Sequence, residues 1–126
     1  LRWFTAGAEE MRLEDDGDLH VDGDVIAFST TVPSSIALKD NVNIIDNALE
    51  KLNLLRGVSF NYKQDGRESA GVIAEEVKDV LPQAVKSVGN FKDESKNLAV
   101  NYNALTSILI EAIKELTKKV EKLENK

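Results

Sequence analysis

The sequence predicts an α+β fold in which short β-strands precede a mixed body of helices and hairpins and a final coiled-coil helix. Three observations support this class. Short alternations of apolar and polar residues near the N-terminus are separated by Asp-Gly pairs. Two further pairs of alternating segments flank helical patterns in the middle of the chain. Apolar residues then recur at heptad spacing from Tyr102 to Leu123.

Composition limits the possible partners and ligands. The 126 residues amount to one domain, and because the chain begins at Leu1 we expect it to be a fragment of a longer protein. The chain has no cysteine, so disulfides and thiolate metal sites are excluded, and we expect no metal and no cofactor. The net charge of −6 resides entirely in residues 1–24, with eight acidic and two basic side chains. Without a basic stripe or a long apolar run, neither nucleic acid nor a membrane is an expected partner.

Residues 1–29 form the first predicted body. The segments 11–14 and 19–21 alternate apolar with polar residues, the apolar segment 25–28 continues them as a further predicted strand, and Asp-Gly pairs predict turns between them. Strands this short bury too little apolar surface to be stable alone, but several copies wound together as a fibre stalk would share a core. A frayed acidic tail is the alternative that the pattern leaves open.

The second predicted body follows an extended connector around Pro33. Apolar residues from Leu38 to Leu52 recur at spacings of three and four, which predicts an amphipathic helix that Asp40 caps and Gly57 ends. The segments 58–63 and 69–73 predict a hairpin, and 74–81 predicts a helix that ends at Pro82.

The segments 84–88 and 97–100 predict a second hairpin. The polar loop between them, 89–96, carries Phe91 at its centre. We expect this loop to be a protruding arm that contacts the upstream strands and not the core.

The last predicted element is a helix from Tyr102 to the end. Heptad positions a and d are apolar or small along it, namely Thr106, Ile113 and Val120 at a, and Tyr102, Leu109, Leu116 and Leu123 at d. This narrow stripe between charged flanks predicts a coiled coil. A lone helix packed on the body remains the alternative, and fewer than three heptads do not determine the number of strands.

Ser34 and Lys39 are the candidate catalytic residues. A neutral lysine amine accepts the proton of a serine hydroxyl, so the pair is a minimal nucleophile and base that needs no histidine or metal. The spacing alone is weak, because serine and lysine are common in solvated turns.

Several motifs in order give the chain a family resemblance. They are Ser34 with Leu38-Lys39-Asp40-Asn41, Ala48-Leu49 with Leu52, Gly57-Val58-Ser59-Phe60-Asn61-Tyr62, Ala70-Gly71-Val72-Ile73-Ala74-Glu75-Glu76-Val77 with Leu81-Pro82, and Val100-Asn101-Tyr102-Asn103-Ala104-Leu105 running into Glu111-Ala112-Ile113-Lys114-Glu115-Leu116. From about Ser34 to Leu123 the chain resembles the self-cleaving intramolecular chaperone domain at the C-terminus of phage tail spikes, tail fibres and neck appendages, the endosialidase type.

The resemblance implies a function. The domain is expected to form a homotrimer, to template the folding of the upstream stalk of the same chain, and to release itself once by serine autoproteolysis between Pro33 and Ser34. Ser34 is then the nucleophile and Lys39 the base, residues 1–33 are the tip of a fibre stalk, and residues 34–126 are the chaperone domain. The stalk is expected in the virion tail, assembled in the host cytoplasm. This family usually has Asp at the position of Ser35, which raises the prospect of slower cleavage here.

Cleavage before the serine implies an intramolecular reaction in which Ser34 Oγ attacks the carbonyl of Pro33. Backbone amides or the side chain of Asn41 are candidates to stabilise the oxyanion, although a residue at a helix start is the simpler role for Asn41. A permanent, non-cleaving trimerisation or adhesion tip is the alternative function. A hydrolase acting on other molecules is disfavoured, since the sequence offers no second acid–base group.

Overall fold

The computed structural model describes residues 1–89 and 95–126. Their contacts divide into two compact units, one that holds Leu1–Val42 and one that holds Asn43–Val88 with Lys96–Lys126. The structure is a mixture of small antiparallel sheets and helices with a long C-terminal helix, as the sequence predicts. The domain boundary expected between Pro33 and Ser34 stays a prediction.

The first unit contains a three-stranded antiparallel sheet in the order β1 (Arg2–Thr5), β2 (Ala8–Leu13) and β3 (Leu19–Val21). A two-residue turn joins β1 to β2, and both of its residues, Ala6 (φ 48°) and Gly7 (φ 81°), have positive φ. Such turns match the twist of the strands that they connect. The sheet therefore has the short strands and tight turns that the alternation predicts, with one strand more at the N-terminus.

Two strand predictions in this unit are wrong. Strand β1 was missed because 2–5 does not alternate cleanly, and its register with β2 shifts between Trp3 and Phe4. The predicted strand at 25–28 does not form, and its Ile26 side chain is 95% exposed. An apolar segment becomes a strand only when a partner strand pairs with it, and residues 1–89 and 95–126 supply none there.

The second unit begins with α1 (Ala48–Leu52), which is much shorter than predicted. The long helix expected from Leu38, with Asp40 as its cap, is wrong: Asn41 (φ 53°) and Asn47 (φ 49°) adopt left-handed backbone conformations. Asp and Asn side chains compete for backbone hydrogen bonds and disfavour helix interiors. The segment before α1 is rich in both, so its apolar periodicity does not produce a helix.

The predicted hairpins and middle helix are confirmed. The elements are β4 (Val58–Asn61) paired with β5 (Glu68–Gly71), α2 (Ala74–Val80), a 3-10 turn at Pro82–Ala84, and β6 (Val85–Gly89) paired with β7 (Lys96–Val100). Most of the loop predicted to form an arm, including Phe91, lies outside the described residues. Its role stays a prediction.

The C-terminal helix α3 (Tyr102–Glu124) supplies the largest part of the core. The buried residues of the second unit are Ala48, Val77, Leu81, Ala84, Leu105, Ile108 and Ala112. Three of them lie on α3, at spacings of three and four. The heptad positions predicted for a coiled coil lie on a neighbouring face about a fifth of a turn away, and that face is exposed in the single chain.

One carboxylate of α3 closes the N-terminus of α1. The amides of Ala48 and Leu49 donate to Glu115 Oε2 at 2.7 and 3.1 Å, whereas the side chain of Asn47, the cap residue, makes no capping hydrogen bond. The first amides of a helix have no partner within the helix, and a carboxylate also interacts favourably with its dipole. Glu115 thus ties α1 to α3.

Replacing Glu115 with alanine should lower the free energy of unfolding by about 1–2 kcal/mol, because two amides of α1 lose their acceptor. Urea denaturation followed by circular dichroism measures this change. Glu121→Ala, which removes an exposed carboxylate from the same helix, is the matched control and should change stability by less than about 0.5 kcal/mol. Equal effects in the two variants would contradict the capping role.

A second polar link joins the end of α1 to α2. Arg56 donates from its guanidinium to Glu76 Oε2 at 2.8 Å, and the Arg56 backbone amide donates to Glu76 Oε1 at 3.2 Å. The hydrogen bond from the guanidinium is the main cause of a lowered pKa at Glu76. The folded state therefore favours the charged carboxylate.

This pair predicts a pH dependence of stability. Because the pKa of Glu76 is lowered on folding from its ordinary value of 4.5, the pair stabilises the protein above that pH. The contribution is lost as the pH falls through the lower, folded pKa. Denaturation curves at pH 7 to 3 should show wild type and Glu76→Gln converging in the acid range, while Glu75→Gln changes little. A gap between wild type and Glu76→Gln that stays constant with pH would contradict this.

Candidate active site

A single 3-10 turn, Ile36–Leu38, forms the framework of the candidate site. The Leu38 amide donates to the Ser35 carbonyl at 3.0 Å, and the Lys39 amide donates to the Ile36 carbonyl at 3.1 Å. Ser35 is the N-cap, and its Oγ accepts from the Ala37 amide at 3.3 Å. These three bonds fold the chain back between residue 34 and residue 39.

The turn brings Ser34 and Lys39 together. Lys39 Nζ donates to Ser34 Oγ at 2.7 Å. Five residues in extended conformation would span roughly 17 Å, so the contact depends on the turn. Protonated, the amine can only donate to the hydroxyl; neutral, it can accept the hydroxyl proton. The geometry therefore allows a nucleophile and its base, although the catalytic roles themselves stay predictions.

Four apolar residues close to the pair in sequence are open to solvent. We call Val32, Ile36, Leu38 and Val42 the apolar collar; all four side chains are more than 60% exposed. Ser34 and Lys39 are exposed as well. Exposed apolar residues grouped at one place commonly mark a surface that another molecule covers. In the single chain, water reaches the site freely.

Two other predicted site residues flank the pair. Pro33 precedes Ser34 in a stretch without helix or strand, which leaves its peptide bond accessible. Asn41 lies two residues after Lys39 with a φ of 53°, a conformation that asparagine tolerates better than most residues. Its proposed role at an oxyanion stays a prediction.

Residues 1–89 and 95–126 lack the features of two other classes of site. Within these ranges no group of three or more His, Asp or Glu side chains could hold a metal ion. In the same part of the chain, no helix has the length and apolar character needed to cross a bilayer.

The 3-10 turn lies at the start of a family match. Residues 34–86 match the model of a family of peptidases described as the chaperone of endosialidase. The match begins at Ser34 itself. The chain carries a chaperone of endosialidase domain. The resemblance drawn from the sequence motifs is therefore confirmed.

Several proteins similar to this chain are tail fibre proteins of phages. It is 34% identical over 128 residues to the long tail fibre protein Gp37 of Enterobacteria phage K3, an alignment that covers 98% of this chain and 10% of the relative. It is 36% identical over 116 residues to Gp37 of Enterobacteria phage T2, with 88% and 9% covered. A probable tail fibre protein of Escherichia phage Phieco32 is 40% identical over 81 residues, with 63% and 11% covered. The chain thus spans about a tenth of the length of these curated relatives.

Sequence reasoning missed two features of the site. The capping hydroxyl of Ser35 could have been found, because serine before a short helical segment is a strong N-cap signal. The apolar collar was partly misassigned, because Leu38 and Val42 were placed on the buried face of a helix that does not form. Only the tertiary arrangement separates a buried periodic residue from an exposed one.

Proposed function

We propose that this chain is the C-terminal end of a phage tail fibre, in which the chaperone domain trimerises, templates the upstream stalk and then cleaves itself off between Pro33 and Ser34. The observation that carries the proposal is the 2.7 Å hydrogen bond between Lys39 Nζ and Ser34 Oγ at the first residue of the family match. The similarity to long tail fibre proteins supports the location in a fibre.

The proposed reaction is intramolecular. Ser34 Oγ attacks the Pro33 carbonyl carbon while neutral Lys39 accepts the hydroxyl proton. The tetrahedral intermediate collapses to an ester between the Pro33 acyl group and Ser34 Oγ, and the Lys39 ammonium protonates the departing Ser34 nitrogen. Water then hydrolyses the ester, which leaves a carboxylate at Pro33 and restores the hydroxyl of Ser34. Backbone amides, or Asn41, are the donors proposed for the oxyanion.

The exposure of the site argues that cleavage depends on assembly. A lysine amine is neutral near physiological pH when burial or a neighbouring cation disfavours its charge. The apolar collar is open in the single chain, so a second copy that covers it would remove water from around Lys39. We propose that trimer formation supplies this cover, and that cleavage therefore follows correct assembly.

The exposed stripe on α3 is the proposed trimer contact. We call Leu109, Ile113, Leu116, Val120 and Leu123 the α3 stripe; it continues beyond the residues of α3 that reach the core of the second unit. Apolar side chains at heptad spacing associate with the same face of other helices. Joining three C-termini would raise the local concentration of the upstream strands and set their register.

The first unit has the properties of a stalk segment that needs such help. Among the described residues its sheet has three short strands, and the exposed apolar segment at 25–28 forms no strand. Interwinding strands from three chains requires a large loss of conformational entropy before stabilising contacts form. Removal of the template after assembly would then trap the stalk kinetically.

A permanent, non-cleaving tip is the second candidate function. It is favoured by the exposure of Ser34 and Lys39, which also suits two solvated residues of a turn. Mass spectrometry of freshly expressed protein separates the two candidates, because only the first yields fragments that end at Pro33 and begin at Ser34.

Ser34→Ala should abolish cleavage between Pro33 and Ser34 while leaving the oligomer intact, because the nucleophile is gone. Lys39→Ala and Lys39→Arg should lower the rate by at least about a hundredfold, since a guanidinium stays protonated and cannot act as a base. Fragment masses measure the outcome. Ser59→Ala and Lys63→Arg are matched controls and should cleave normally. Cleavage that survives Ser34→Ala would refute the proposed active site.

Leu116→Asp should convert the trimer to smaller species in sedimentation, because it places a charge in the α3 stripe. Cleavage should slow in parallel if assembly covers the apolar collar. Lys118→Asp inserts the same side chain two residues away at the outermost heptad position, and it should leave both the trimer and the cleavage unchanged. An unchanged trimer in Leu116→Asp would remove the stripe from the interface.

A further inference from the structure

Ser35 holds the turn that joins the two candidate catalytic residues. Its backbone is extended (φ −62°, ψ 143°), as is usual for an N-cap, and its Oγ accepts from the Ala37 amide at 3.3 Å. Its carbonyl accepts the Leu38 amide at 3.0 Å. Ser35 therefore provides two of the three hydrogen bonds that define the turn.

The turn has little else to hold it. Its three residues are all exposed, and Ile36 and Leu38 bury only a minor part of their apolar surface in the single chain. Short helical segments are marginal in water without tertiary packing. The Ser35 cap therefore contributes a large part of the stability of this turn. Before the apolar collar is covered, this turn keeps Ser34 and Lys39 within hydrogen-bond distance.

We infer that Ser35 is a positioning residue, which acts on the Ser34–Lys39 pair through the backbone of the 3-10 turn and not through charge or proton transfer. This inference rests on the proposed cleavage. It also explains a departure from the resembling family, which usually has Asp at this position. Asp and Ser are equivalent N-caps, so Ser35 preserves the capping function without a carboxylate.

The inference makes a residue-specific prediction for cleavage. Good N-caps, charged or neutral, should support the reaction, and alanine should not. Ser35→Asn and Ser35→Asp in the full chain should cleave within about twofold of wild type. Ser35→Ala should cleave roughly three- to tenfold more slowly, the factor by which loss of a cap lowers the population of the turn.

The pH profile of the cleavage rate separates positioning from charge. Loss of the cap lowers the rate by the same factor at each pH, so Ser35→Ala and Ser35→Asn should keep the wild-type midpoint. Ser107→Ala, a serine on α3, is the control and should match wild type. Two results would overturn the inference. One is a wild-type cleavage rate in Ser35→Ala. The other is a cleavage rate in Ser35→Asn as low as in Ser35→Ala, with Ser35→Asp the only active variant.

A second measurement does not depend on cleavage. In a Ser34→Ala background the chain stays intact, and exchange of the Ala37 amide with solvent can be followed by NMR. Adding Ser35→Ala should accelerate this exchange several-fold, and adding Ser35→Asn should not. Faster exchange in a protein whose wild type never cleaves would uphold the cap and reject the proposed function. If cleavage requires Ser34 and Lys39 but the exchange rate of the Ala37 amide is the same with and without the Ser35 hydroxyl, the capping role of Ser35 is rejected and the proposed function is not.

Discussion

The second unit depends on the packing of α3 against the short elements that precede it. Ile108 and Val77 are completely buried, and the remaining core residues surround them. Helix α1 has only five residues and is far too short to persist alone. It is held by the apolar contact with α3 and by the Glu115 carboxylate at its N-terminus. A 23-residue helix thus organises elements that have little stability of their own.

The same helix has a second apolar face, and this asymmetry connects the fold to the proposed assembly. A monomeric helix of this kind normally presents charged residues on all faces that do not pack on the core. Here the α3 stripe lies beside the core-facing residues and remains exposed. Burial of that stripe between copies, as proposed, would give these exposed apolar residues a packing role in the oligomer.

The candidate active site follows a different energetic principle. It is formed by a local turn, with three backbone and capping hydrogen bonds and no buried residue. Such a turn has little stability of its own, and the exposed apolar collar near it in sequence is suited to burial by another surface. A site that is locally preorganised yet open to water suits a reaction that should begin only after assembly. Elsewhere in the first unit, Arg12 makes part-buried ion pairs with Glu9 and Glu14, which are also close to it in sequence, so ordering there is local too.

What the sequence determined by itself is the set of elements coded by local signals. Asp65-Gly66 specifies the β4–β5 hairpin, Pro82 ends the helix α2, and the apolar periodicity from Tyr102 specifies α3. The adjacency of Ser34 and Lys39 was also foreseeable, because a turn at residue 35 needs only serine and its neighbours. These features depend on residues within a few positions of one another.

Tertiary structure decided what depends on distant partners. The periodicity from Leu38 to Leu52 predicts a long helix, but only Ala48–Leu52 is helical. This part packs on α3 and donates a hydrogen bond to Glu115, more than sixty residues away. The apolar segment at 25–28 was predicted to be a strand, but no strand among the described residues pairs with it. Heptad spacing on α3 marked the exposed face, while Leu105, Ile108 and Ala112 face the core. An apolar residue is buried only where another element covers it, and a pattern along the chain does not contain that information.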